Sequence, residues 1–106
     1  MQKLRKEGEK ILLRKEVPKI CHYCGIDEET YQRLELIYTL QGTKFKKLGV
    51  ERVNPRRGYE EGNIVWCCSP CNNAKNFYFT EDEGKLLGKT ISAIYQSWLE
   101  KLERSE

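Results

Sequence analysis

The sequence predicts a small α+β fold, a β-hairpin packed on helices with a further helix at each end. Three observations carry this expectation. Leu48–Val53 alternates weakly and Asn63–Trp66 is mostly apolar, and with turn-forming residues between them they read as paired strands. Segments on both sides place apolar residues at steps of three and four, the period of a helix. Two C-x-x-C pairs, Cys21/Cys24 and Cys68/Cys71, lie one before and one after the hairpin.

In chain order, the first element is a helix over 3–16, with Leu4, Ile11 and Leu12 among Lys, Arg and Glu. Gly8 weakens it and Pro18 is expected to end it. It reads as a surface helix packing one edge on the domain, with a basic DNA-contacting arm as the alternative. Ile20–Gly25 is a tight turn. Asp27–Leu40 carries Tyr31, Leu34, Ile37 or Tyr38, and Leu40 at helical spacing behind an acidic first turn, and Gly42 stops it. A basic loop, Thr43–Lys47, leads into the first strand. Asn54-Pro55 opens a wide turn running to Gly62, and after the second strand Cys68–Cys71 turns the chain into a helix from about Asn72. Thr80 and Glu83 have the spacing of a capping box. The helix behind them, 81–103, is expected to bury Leu87, Ile91, Ile94, Trp98 and Leu102.

Size and composition set bounds on function. The chain has 106 residues, 39% hydrophobic and 33% charged, so one domain over 1–106 with a thin core is expected. No run approaches the ~20 apolar residues of a membrane span, and no apolar stretch follows the charged first residues, so neither a membrane nor a secretory signal is expected. A reducing, cytoplasmic setting follows, in which paired cysteines more often bind metal than form disulfides. The net charge of +3 decides no partner. Its distribution says more: between Thr43 and Gly58, Lys44, Lys46, Lys47, Arg52, Arg56 and Arg57 stand against Glu51 alone.

The cysteines point to a metal. A two-residue spacer lets one turn offer two thiolates to one ion, and zinc takes four such ligands tetrahedrally. Cys21, Cys24, Cys68 and Cys71 are therefore expected to hold one structural Zn²⁺, with buried or redox-active cysteine pairs as the alternative. Cys67 is the spare. His22, the only histidine, lies between two ligands and reads as a solvent-facing loop residue rather than a ligand or a base.

These residues form a pattern: Cys21-x-x-Cys24, Gly49-Val50-Glu51-Arg52-Val53-Asn54, Gly58-Tyr59, Gly62-Asn63-Ile64-Val65 and Cys68-x-x-Cys71-Asn72-x-Ala74-Lys75. Over 20–76 the chain resembles the zinc-ribbon HNH endonucleases common in bacteriophages. The resemblance implies a ββα-metal core over that range, in which a hairpin leads into a helix and a catalytic metal sits between them, apart from the structural zinc. It further implies that Glu51 takes the metal-binding acidic position and Asn63 the position that orients the general base. Asn72 takes the metal-site position at the helix start. The base itself, a histidine in the family, is replaced here by Arg52. Arginine stays protonated and only donates hydrogen bonds, so it cannot serve as an ordinary base. Glu51 and Asn72 still offer the oxygen ligands that Mg²⁺ or Mn²⁺ needs. Without that pattern, Glu51-Arg52 is a solvated strand pair, and Asn63 and Asn72 are turn and capping residues.

The first functional expectation is a divalent-metal-dependent DNA endonuclease that nicks, in a bacterial or phage-infected cell. Arg56, Arg57 and Lys75 would face the same side as Glu51 and bind phosphate, extended by Lys44, Lys46 and Lys47. The second is a catalytically weak or inactive nucleic-acid-binding module of the same fold. The third is a phage-encoded modulator of a host protein. Monomer and homodimer are both left open.

Overall fold

A computed structural model describes residues 2–34 and 47–105. Helix α1 spans Gln2–Arg14, α2 spans Glu28–Arg33, strands β1 and β2 span Gly49–Arg52 and Ile64–Cys67, α3 spans Ser69–Lys75 and α4 spans Glu81–Ser105. The expected residues 35–40 of the second helix, and the basic loop with Lys44 and Lys46, lie outside the described residues.

Helix α1 stops two residues before its expected end, and not because of Pro18. Glu16 adopts a left-handed φ of 55°, and the amides of Glu16 and Val17 return to the carbonyls of Leu13 and Leu12, both at 3.1 Å. These two bonds satisfy the helix's last carbonyls as a Schellman motif does. Helix α2 begins at Asp27, whose Oδ1 accepts the Thr30 amide at 2.7 Å. This bond to the charged form holds the Asp27 carboxyl below its usual range.

The hairpin is antiparallel, pairing Val50 with Trp66, Glu51 with Val65 and Arg52 with Ile64. Directly paired residues share a face, so Glu51 and Val65 lie on one side and Val50 and Trp66 on the other. The wide turn is held by Asn63, which is 1% exposed. Its Oδ1 accepts the Asn54 amide at 2.9 Å, and its Nδ2 donates to the carbonyls of Asn54 and Gly58 at 3.1 and 2.9 Å.

Helix α3 starts at Ser69 rather than near Asn72. Pro70 explains the difference, because its fixed φ suits the first turn, where its missing N–H is no loss. Cys68 is the N-cap and Cys71 sits inside the first turn, so the second cysteine pair is a helix start rather than a free loop.

The capping box of α4 forms as expected: the Thr80 amide donates to Glu83 at 2.9 Å and the Glu83 amide to Thr80 at 3.2 Å. Its buried stripe is rotated from the expected one. Tyr95 is buried and Ile94 is exposed, and the covered positions run Gly84, Gly88, Ile91, Tyr95, Trp98 and Leu102. The two glycines set this rotation. A Cβ on Gly88 would lie 2.2 Å from the Tyr23 carbonyl oxygen, so the turn carrying Cys21 and Cys24 lies directly against bare helix backbone. The core gathers round the cysteines, with Tyr31, Leu34, Trp66 and Tyr95 buried in the same cluster.

Candidate metal centre and active site

The four cysteines of the two C-x-x-C pairs come together. Their sulfurs lie within 4.8 Å of one another, and Cys24 and Cys68 are 3.7 Å apart. Four sulfurs about 2.3 Å from a central ion sit about 3.8 Å from each other in a tetrahedron, so the cluster fits a four-thiolate metal site. Two donors face these sulfurs: the Cys68 amide reaches Cys21 Sγ at 3.4 Å and the Tyr95 hydroxyl reaches Cys68 Sγ at 3.2 Å. Such donors stabilise thiolate charge. Tyr95 escaped the sequence reading because Ile94 fits the helical period nearly as well. Cys67 stays out of the cluster, donating to the Cys68 carbonyl at 3.3 Å. His22 stays out too. It is half-buried rather than solvent-facing, and its Nε2 lies 2.6 Å from Glu81.

The second candidate centre is a hollow lined from both β1 and α3. Glu51, on β1, and Asn72, in α3, line a cavity of about 470 Å³ together with Arg5, Lys6, Lys47 and Ser69. The same two residues line a smaller cavity of about 60 Å³ with Arg52, Pro55, Asn76 and Phe77. The two hollows thus share Glu51 and Asn72 as wall residues. The Glu51 side chain is 18% exposed and Arg5 donates to it at 2.7 Å. Burial pushes the Glu51 carboxyl above its usual range, against the pull of Arg5, Arg52 and Lys75. Arg5 also donates to the Val50 carbonyl at 3.2 Å, which places α1 at this site. The sequence did not single Arg5 out, since it is one of several cations on a helix expected to pack at an edge, with a DNA-contacting arm as the alternative.

The remaining expected site residues divide. The Arg52 guanidinium lies 5.0 Å from the Tyr59 ring centre and donates to the Arg57 carbonyl at 3.3 Å. Asn63 spends its amide on the loop backbone, so it shapes the turn beside Arg52. Arg56 and Arg57 are exposed, with Arg57 paired to Glu60 at 2.8 Å. Lys75 is not a surface cation: it is 4% exposed, donates to the Val53 carbonyl at 3.2 Å and lies 5.7 Å from the Tyr23 ring centre. Its stem is buried under α4 and its ammonium fastens the loop after β1, which removes it from the phosphate-binding set.

No protein-family model matches the chain, and no curated protein matches it by sequence. Among solved structures, the chain superposes on the rare-cutting HNH restriction endonuclease PacI with a TM-score of 0.67. The match covers 91% of this chain and 76% of that one, at 27% identity. The chain has the HNH fold. Glu51 lies on the hairpin and Asn72 in the helix after it, and the four clustered cysteines come from the turn before the hairpin and from the start of that helix. Among the described residues, no helix is long and apolar enough to cross a membrane.

Proposed function

We propose that the protein is a divalent-metal-dependent DNA endonuclease that nicks slowly, with one structural Zn²⁺ on Cys21, Cys24, Cys68 and Cys71. The observation that supports this reading is that Glu51 and Asn72 line the same two hollows in an HNH fold. Glu51 and Asn72 offer oxygens suited to Mg²⁺ or Mn²⁺. Such an ion supplies charge stabilisation at the phosphate and acidifies water. The chain's own groups do the rest. Arg5 neutralises Glu51 in the free protein and is available to phosphate once the carboxylate is engaged. Arg52 stands where the resemblance implies an imidazole and donates hydrogen bonds only, so it holds phosphate charge without removing a proton. A missing base costs about 10²–10⁴ in rate, which leaves slow cleavage.

Relaxation of supercoiled plasmid with Mg²⁺ or Mn²⁺ tests this. Wild type should nick, Glu51→Ala and Asn72→Ala should not, and Arg52→His should nick faster. If Arg52→His proves as inert as Glu51→Ala, the active-site reading fails. The Arg5–Glu51 ion pair and the lack of an imidazole at position 52 favour a second reading, a nucleic-acid-binding module of the same fold. Salt-sensitive DNA binding without nicking would establish it.

A further inference from the structure

Between α3 and α4 the chain shows solvent three consecutive aromatic side chains, Phe77, Tyr78 and Phe79, which are 67%, 72% and 43% exposed. Three large apolar rings in a row on a surface mark a binding site more often than chance, because solvated rings gain by being covered. Their backbone is held. Asn76 turns the chain with a left-handed φ of 45°, its Oδ1 accepts the Phe77 amide at 3.0 Å, and the Tyr78 amide donates to the Lys75 carbonyl at 3.2 Å. Successive ring centres lie 5.0 and 6.4 Å apart.

The rings line a groove of about 460 Å³ together with Val53, Asn54, Pro55, Arg56, Thr80 and Glu81, the Glu81 carboxylate lying 2.6 Å from His22 Nε2. Pro55 and Phe77 also line the small hollow that holds Glu51 and Asn72. The groove therefore shares two wall residues with the hollow at Glu51 and Asn72, and the exposed Arg56 lines it. Aromatic faces beside a cation suit a ligand with a flat π-face and a negative backbone, which describes a nucleotide out of its stack. In an intact duplex the base faces cover one another and are closed to a protein ring.

We propose that Phe77 and Tyr78 are a stacking platform for unpaired nucleobases next to the cleaved phosphodiester, so that the preferred substrate is single-stranded or locally opened DNA. The proposal rests on the nuclease reading in taking the ligand to be a DNA strand and the cleaved bond to lie at Glu51 and Asn72. Stacking on an aromatic side chain is sequence-tolerant, so the platform selects DNA structure rather than base identity.

The test is anisotropy of a fluorescein-labelled oligonucleotide, single-stranded and as a duplex, with the full chain and no added Mg²⁺. Wild type should bind the single strand, and Phe77→Ala/Tyr78→Ala should weaken that binding at least about tenfold while leaving duplex binding within about twofold. Phe77→Tyr/Tyr78→Phe should keep single-strand affinity. These side chains are solvated, so circular dichroism should show the alanine variant folded. Equal single-strand affinity of a folded alanine variant and wild type overturns the platform while leaving the nuclease reading in place. Wild type binding neither form overturns both. A wild-type dimer in sedimentation that the alanine variant loses, with single-strand binding unchanged, assigns the rings to contact between copies and overturns the proposal.

Discussion

Glu51 is a carboxylate held where a carboxylate is uncomfortable. Burial favours its neutral form, and Arg5, Arg52 and Lys75 only partly offset this, so its folded-state pKa is above the ordinary value of 4.5. The sign of the linked stability follows. Below the ordinary value both folded and unfolded chains carry the proton and no penalty exists. As pH rises through the raised folded value, the folded chain must ionise a desolvated group, and stability is lost. At neutral pH Glu51→Gln should therefore raise the thermal midpoint, and the gain should shrink as the pH approaches the ordinary carboxylate range. Thermal melts at neutral and mildly acidic pH measure this. A lower midpoint for Glu51→Gln at neutral pH would show that the Arg5 ion pair outweighs the burial. A polar residue whose replacement stabilises the fold is the usual mark of a site kept for chemistry. Lys75 is the opposite case, a charged residue whose burial serves the fold.

Among the elements, two features bring distant segments together, the cluster of four cysteines and the glycine face of α4. If the cluster holds zinc, the metal contributes on the order of 10 kcal/mol to so small a domain. Elemental analysis should find one Zn²⁺ per chain. Cys21→Ser or Cys71→Ser should leave the protein unfolded or insoluble, and Cys67→Ser should be mild, because a serine hydroxyl can make the same bond to the Cys68 carbonyl. Folded, reduced protein without zinc would end this assignment. Gly88→Ala should lower the denaturant midpoint. Alanine gains about 1 kcal/mol of helix propensity, but its Cβ meets backbone at Tyr23 and Cys24, and overpacking costs about 1–3 kcal/mol. Gly84→Ala should also lower the midpoint, since its Cβ would meet the buried Lys75 stem at 2.7 Å and the Tyr23 ring at 2.9 Å. The glycines also show what the sequence could disclose. The cysteine spacing, the hairpin alternation and the Thr80–Glu83 box each announce themselves within a few residues and were legible. The face of α4 was not, because Ile94 and Tyr95 both fit a 3.6-residue period. Only the close approach of the Cys21–Cys24 turn to Gly84 and Gly88 selects Tyr95. The start of α3 was misplaced for a similar reason: a C-x-x-C pair reads as a turn until the effect of Pro70 on the first helical turn is counted.

For the molecule as a whole, two sets of cations border the hollows near Glu51 and Asn72. Arg5, Lys6 and Lys47 line the larger cavity on one side, and Arg56 borders the aromatic groove on the other, with Arg57 in the same loop. If the protein cleaves DNA at Glu51 and Asn72, the backbone has cations available in both hollows. Contacts of this kind hold phosphate without reading bases, so affinity should fall steeply with salt. Arg56→Ala/Arg57→Ala should weaken binding to all DNA sequences alike and flatten the plot of log affinity against log salt. The slope change should be below two contacts' worth, because Arg57 is already paired with Glu60. Lys75→Ala should behave differently. It removes a buried stem and leaves the Val53 carbonyl without its ammonium donor, so it should lower the denaturant midpoint while leaving the salt slope of the folded protein unchanged. Salt titrations of binding with both variants, set beside their denaturation curves, separate the roles. If Lys75→Ala lowered the slope with full stability, the ammonium would belong on the DNA face. If Arg56→Ala/Arg57→Ala left binding unchanged at moderate salt, the strand would have to cross Glu51 by a path through Arg5, Lys6 and Lys47 alone.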